Sequence, residues 1–196
     1  MIFFNRLHIK FGIIQKNNVD CNSWMLDNEI VESKKIQNLK RKNEFTGIRQ
    51  LRNELLPKKE IIYSSTGKPS LIDDTTQLSI SHSSQSICVA ISNSPLGIDI
   101  EKIDDRILKV RAKFVNCEEK QFYAYDSIED LTILWTIKES IYKLLDISGI
   151  SFLDDIQIIE RNRDEHTCLV QVNGMRKTYT LKHEKINNEI LTYNIN

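Results

Sequence analysis

The chain has 196 residues, 40% hydrophobic and 28% charged, a balance that suits a folded protein with a real core and excludes general disorder. Lys plus Arg and Asp plus Glu number 27 each, for a formal net charge of zero. That excludes a generally basic nucleic-acid coat or polybasic membrane binder and leaves any electrostatic partner to a local patch. No window approaches the roughly 18 apolar residues that would span a bilayer. The apolar opening MIFFNRLHIKFGII is interrupted by Arg6, His8 and Lys10, so it reads as a strand and not as a secretory leader. Cys21, Cys88, Cys117 and Cys168 lie far apart with no CxxC pair. They read as reduced thiols, and the expectation is a cytoplasmic protein.

In chain order, residues 2 to 14 alternate loosely and predict one opening strand. From about Ser23 to Leu56 there is no Pro and a single Gly, and Phe45, Ile48, Leu51 and Leu55 recur at helical spacing before Pro57 stops the run. Short β-like pieces follow at Ile61 to Ser64, Leu78 to Ser81 and Ile87 to Ser92, separated by turn residues. Ser92-Asn93-Ser94-Pro95 marks the middle of the chain. Beyond it come a strand at Gly97 to Glu101, helical text from about Asp105 to Leu145, and four β-like pieces at Ile156 to Glu160, Cys168 to Val172, Arg176 to Lys182 and Ile190 to Ile195. Each half offers helices and short antiparallel strands. There is no residue-level repeat, so the order of elements alone predicts an α+β pseudo-duplicate of residues 1–95 and 96–196.

Four pieces carry chemistry. In Gly97-Ile98-Asp99-Ile100-Glu101 an extended strand puts Asp99 and Glu101 on one face, about 6.5 Å apart at Cα, where they can share a hard cation such as Mg²⁺; a half-buried edge strand with a solvated acidic face fits that spacing as well. In LTILWTIKESIYKLL (131–145), Thr132, Thr136, Glu139, Ser140 and Lys143 gather opposite a broad apolar arc. Glu139 and Lys143 could be no more than an exposed i, i+4 pair, but Lys138 falls on the apolar arc, where an ammonium must snorkel or meet an anion. Gly67-Lys68-Pro69 presents a lysine in an extended turn, and Ser81-His82-Ser83 places a histidine where it could donate to a phosphate or simply be solvated. Lys34, Lys35, Lys40, Arg41, Lys42, Arg49, Arg52, Lys58 and Lys59 face only Glu44 and Glu54 within their span, either a solvated helix surface or a phosphate site.

Taken in order, Gly67-Lys68-Pro69, Ser81-His82-Ser83, Gly97-Ile98-Asp99-Ile100-Glu101 and Trp135-Thr136-Ile137-Lys138-Glu139-Ser140-Ile141-Tyr142-Lys143 resemble the 4'-phosphopantetheinyl transferases of the long pseudo-dimeric type, typified by the enzyme that activates surfactin synthetase. Arg41-x-x-Glu44-Phe45-x-x-x-Arg49 is similar to that family's basic helix. The resemblance covers roughly residues 40 to 155.

The resemblance implies two similar α+β halves in a monomer. The first half supplies the basic helix and the Ser-His turn, and the second the carboxylates and the Lys-Glu helix. It implies transfer of the 4'-phosphopantetheine arm of coenzyme A to a serine of an apo carrier protein of fatty-acid, polyketide or peptide synthesis, with release of 3',5'-ADP and with Mg²⁺ or Mn²⁺ as cofactor. Asp99, Glu101 and Glu139 would ligate the metal. Lys143 would act on the phosphate or leaving group, with Lys138 in similar work nearby, and Glu139 is the candidate base. Lys68, Ser81 and His82 would contact coenzyme A, and Arg41 and Arg49 its 3'-phosphate. No nucleic acid or membrane is expected as a partner. A silent coenzyme A or carrier-protein binding module and a Mg²⁺-dependent phosphohydrolase are the alternatives.

Overall fold

A computed structural model describes residues 1–20 and 24–196; Cys21 and the expected helix start at Ser23 lie outside the described residues. The chain divides into two compact units, Met1–Leu96 and Gly97–Asn196.

The first unit opens with β1 (Ile2–Arg6) and β2 (Ile9–Gln15), an antiparallel hairpin where a single strand is expected. The alternation runs the same way in both arms, and the turn has no Gly, Pro, Asn or Asp to announce it. Leu7 takes the left-handed conformation instead, at φ 52°. Helices α1 (Asp27–Lys35) and α2 (Leu39–Leu55) follow, with Asn38 Oδ1 capping α2 by accepting from Arg41 N–H at 3.0 Å. Then come β3 (Ile61–Tyr63), β4 (Pro69–Leu71), β5 (Gln77–His82) and β6 (Ser86–Ser92). The main sheet is ordered β1-β2-β6-β5, and β3 pairs with β4. Helix α2 lies on β2 and β6, burying Ile48 and Leu51 with Ile14, Ile87 and Val89.

The second unit is built on β7 (Ile98–Lys102), α3 (Ile128–Leu145), β8 (Ile156–Asn162), β9 (Glu165–Val172), β10 (Met175–Ile186) and β11 (Glu189–Asn194). All sheet neighbours are antiparallel, in the order β7-β11-β10-β9-β8. The helical text expected from about Asp105 resolves into 3-10 turns at 105–109, 111–113 and 118–121 before α3 begins. Helix α3 starts where Ser127 Oγ accepts from Asp130 N–H at 3.2 Å, with Glu129 and Asp130 in the positive first turn. It stops at Asp146, which is left-handed.

Helix α3 packs on β7 and β11, and Gly97 lets it come close. A Cβ on Gly97 would stand 2.1 Å from the carbonyl oxygen of Ser140 and 2.8 Å from Leu144 N, far inside van der Waals contact. The glycine that opens the acidic motif is thus required by the helix packed against it.

Candidate active site

Strand β7 pairs with β11 so that Asp99 sits opposite Thr192 and Glu101 opposite Ile190. On this face α3 brings three side chains within reach of the sheet. Thr136 Oγ1 lies 2.7 Å from Thr192 Oγ1, Ser140 Oγ donates to the Thr192 carbonyl at 3.2 Å, and Lys143 Nζ donates to Asp99 Oδ1 at 2.7 Å. Part of the polar face of the helix is therefore buried: Thr132, Thr136 and Ser140 are all inside, their hydroxyls bonded to the α3 carbonyls of Ile128 and Ile133 and to Thr192 of β11. The signal was ambiguous because small hydroxyl residues suit a tight helix–sheet contact as well as a wet surface.

Three carboxylates surround this contact. Burial pushes Glu101 up to about 7, helped by repulsion from Asp99 and Glu139 and opposed by Lys143. Glu139 is likewise raised to about 7, by burial first and then by Asp99, again against Lys143. The Lys143 ammonium thus acts on all three of these half- or fully buried acids. Beside them opens a cleft of about 310 Å³ lined by Glu101, Lys102, Asp104, Arg106, Thr132 and Trp135, among others.

The donors fit a hard divalent cation in kind: they are all carboxylate oxygens, in excess of local positive charge, which is what Mg²⁺ or Mn²⁺ takes. Among the described residues no three His, Cys, Asp or Glu side chains close into a metal-holding group, so Asp99, Glu101 and Glu139 form an open set and not a finished cage.

Lys138 is not brought to this cluster. Its ammonium is fully buried and donates to Glu119 Oε2 at 2.9 Å and to the carbonyls of Phe114 and Phe152 at 2.7 and 2.6 Å. The anion that its place on the apolar arc demanded is Glu119, a residue sequence reasoning passed over. Its only signal was Asn116-x-x-Glu119, a reciprocal capping pair in which each side chain accepts from the other's backbone N–H, at 2.9 and 3.0 Å.

In the first unit, His82 is exposed at the end of β5, with Nδ1 3.7 Å from Glu44 Oε1 of α2. Lys16 Nζ also reaches Glu44 Oε1, at 2.5 Å. Burial tends to raise the Glu44 carboxyl, but Lys16, His82 and Lys40 together hold it below the usual carboxylate range. Glu44 was not foreseen as a partner of His82, nor Lys16 as a second cation on Glu44. Ser81 is buried in β5. Lys68 stands in the β3–β4 turn, its N–H held by Ser64 Oγ at 3.0 Å and Gly67 beside it left-handed. Arg41 is exposed in the first turn of α2.

Arg49 lies elsewhere than expected for a phosphate ligand. It is 6% exposed, its guanidinium is 3.7 Å above the Phe45 ring, and it donates to Tyr63 Oη at 3.4 Å. Its Nε is 3.7 Å from Glu29 Oε1, and the fully buried Arg52 grips both oxygens of that glutamate at 2.8 and 2.6 Å. The apolar neighbours Phe45 and Tyr63 draw the guanidinium inward by cation–π attraction, which charge counting along the sequence does not register.

The family model of the 4'-phosphopantetheinyl transferase superfamily matches residues 95–193, which takes in β7, α3 and all four residues of the acidic cluster and its lysine. A 4'-phosphopantetheinyl transferase gsp from Aneurinibacillus migulanus is 36% identical over 96 residues, covering 46% of this chain and 40% of that relative. The match spans less than half of the relative's length. Half of the chain, with every residue of the β7–α3 cluster inside it, follows the family model, and the chain belongs to the 4'-phosphopantetheinyl transferase superfamily.

Proposed function

We propose that this protein moves the 4'-phosphopantetheine arm of coenzyme A onto a serine hydroxyl of an apo acyl or peptidyl carrier protein and releases 3',5'-ADP. The observation that carries this reading is the 2.7 Å contact of Lys143 with Asp99, beside two carboxyls, Glu101 and Glu139, that Asp99 raises and Lys143 lowers, all within the span that follows the family model. In the reaction the serine oxygen forms a new bond to the pantetheine phosphorus, the diphosphate P–O bond breaks, and the serine proton must be accepted. Asp99, Glu101 and Glu139 would hold a divalent cation, Mg²⁺ or Mn²⁺, which would supply charge neutralisation for the diphosphate. Glu139, on α3 one turn before Lys143, is the group we assign to take the serine proton. Lys143, within the same cluster, meets the charge that grows on the departing 3',5'-ADP.

In the first unit the exposed Arg41, the turn residue Lys68 and the Ser81-His82 end of β5 are the groups we assign to coenzyme A, with Arg41 on its 3'-phosphate. Arg49 serves indirectly, by holding Phe45 and Tyr63. We further propose a monomer working in the cytoplasm. No helix of the described residues is long and apolar enough to cross a membrane.

Chromatographic detection of 3',5'-ADP tests the reaction class. Release of 3',5'-ADP from coenzyme A only when an apo carrier protein is present supports transfer. Release without any carrier replaces it with a phosphohydrolase.

A further inference from the structure

Lys138 immediately precedes Glu139 on α3, and its three donor positions meet three acceptors: Glu119, the Phe114 carbonyl and the Phe152 carbonyl. Glu119 is equally buried and is itself saturated. It receives Lys138 on both oxygens, at 2.7 and 2.9 Å, and the N–H groups of Asn116 and Ile158 at 3.0 Å each. One ion pair therefore ties α3 to the segment 114–119, to the loop at Phe152 and to β8. The other side of the same turn of helix is tied to β11 by Thr136 and Ser140 and pressed on Gly97. Glu139 lies on the turn gripped from both sides, and Lys143 follows one turn later. A helix held only by apolar contacts can rotate or slide a little at small cost, whereas a buried ion pair with every donor and acceptor matched has one satisfied geometry.

We propose that Glu119 is a positioning residue: by anchoring Lys138 it fixes the rotation of α3 and so aims Glu139 and Lys143 at the carboxylates of β7. The inference rests on the transferase reading above for its kinetic consequence, and on the fold alone for its geometric one. Without the Glu119 charge, Lys138 must seek another anion or water. Turning α3 to release it carries Glu139 with it, because the two residues share one peptide bond.

The test compares Glu119→Gln and Lys138→Met with the wild-type protein, in samples whose folded fraction is measured by circular dichroism. Mn²⁺ affinity is read by electron paramagnetic resonance, and transfer kinetics are measured on the same samples. For the folded variants kcat is expected to fall by about 10²-fold, as for a misaimed catalytic group, with KM for coenzyme A nearly unchanged. Mn²⁺ affinity is expected to fall by about tenfold, as when a group supporting a metal ligand is removed. A contact that only stabilises the fold would lower the folded fraction and leave Mn²⁺ affinity and kcat per folded molecule at wild-type values, and that result overturns the proposal. If neither single variant folds, the double variant Glu119→Gln/Lys138→Met, which buries no lone charge, takes their place with the same expectations and the same overturning result. If the wild-type protein transfers nothing but binds Mn²⁺, the transferase reading fails while the affinities still decide the role of Glu119. A wild-type protein that binds no Mn²⁺ overturns both.

Discussion

The ammonium of Lys143 stands 2.7 Å from Asp99 Oδ1, and this contact joins the last turn of α3 to the middle of β7. Lys143 also offsets the upward shift of both the Glu101 and the Glu139 carboxyls, so one ammonium acts on all three acids. Lys143→Met is therefore expected to reduce transfer by about 10²- to 10³-fold, the scale for removing one preorganised charge from a transition state. It should also lower the melting temperature in EDTA. Glu101→Gln should do the opposite to stability, raising the EDTA melting temperature by removing a buried repelled carboxylate, while activity falls. Differential scanning fluorimetry beside the transfer assay checks both. A Glu101→Gln protein that melts lower than wild type in EDTA would show that the acids do not strain the fold.

Gly97→Ala introduces a methyl group into a gap that does not exist, 2.1 Å from the Ser140 carbonyl oxygen and 2.8 Å from Leu144 Cβ. Helix α3 must back away or β7 must bend. The expected loss is about 1–3 kcal/mol of stability, read as a lower urea midpoint, together with a loss of activity, since the displaced helix carries Glu139 and Lys143.

A histidine chain gives the second unit a pH dependence. Tyr123 Oη lies 2.7 Å from His166 Nδ1, and His166 Nε2 lies 2.8 Å from His183 Nδ1. Burial, with His183 and Arg161 adding to it, pushes His166 down from its usual 6.5 to about 3. Burial, then Arg161, also lowers His183. An unfolded chain takes up a proton at His166 near pH 6.5 and the folded one near 3, so between these values the unfolded state binds more protons. Stability is full above pH 6.5 and falls with acidification, by at most about 1.4 kcal/mol per pH unit for this group. Urea midpoints measured from pH 7.5 to 5 should drop for the wild-type protein. His166→Phe should start lower, because Tyr123 and His183 lose a partner, and show a shallower slope; an unchanged slope would remove His166 as the cause.

Arg41 and Arg49, predicted alike as 3'-phosphate ligands, should behave differently, and Arg52 sets the scale for a buried guanidinium. Arg41 is exposed, and Arg41→Ala should leave stability within about 0.5 kcal/mol while raising KM for coenzyme A by about tenfold, the loss of one charge-assisted contact. Arg52 is fully buried on Glu29, so Arg52→Ala should cost about 3–5 kcal/mol by removing the bidentate partner of that buried carboxylate and leaving it the longer 3.7 Å contact with Arg49. Arg49→Ala should likewise act on stability before it acts on KM. Denaturation curves and coenzyme A titrations on the three variants separate these outcomes.

How much of this was legible in the chain differs by residue. The acidic strand could be read because alternation along β7 puts Asp99 and Glu101 on one face whatever packs there, and α3 could be read because its apolar arc is long. Lys138 was legible as a misfit, but its partner was not, since Glu119 lies 19 residues away and only folding brings the two together. Gly97 belonged visibly to the motif, yet the reason for a glycine is the Ser140 carbonyl, again a tertiary contact. The β1–β2 hairpin was missed because Leu7 adopts a left-handed turn without a turn residue's identity. The burial of Arg49 was not legible, because counting charges cannot tell a guanidinium stacked on Phe45 from one facing water.

The most direct measurement is intact-protein mass spectrometry of an apo carrier protein incubated with this protein, coenzyme A and Mg²⁺, with EDTA and Asp99→Ala reactions in parallel. The account predicts that the carrier gains the mass of one phosphopantetheine group with the wild-type protein and gains nothing in either control. Transfer that persists undiminished with Asp99→Ala, or in EDTA, would contradict it.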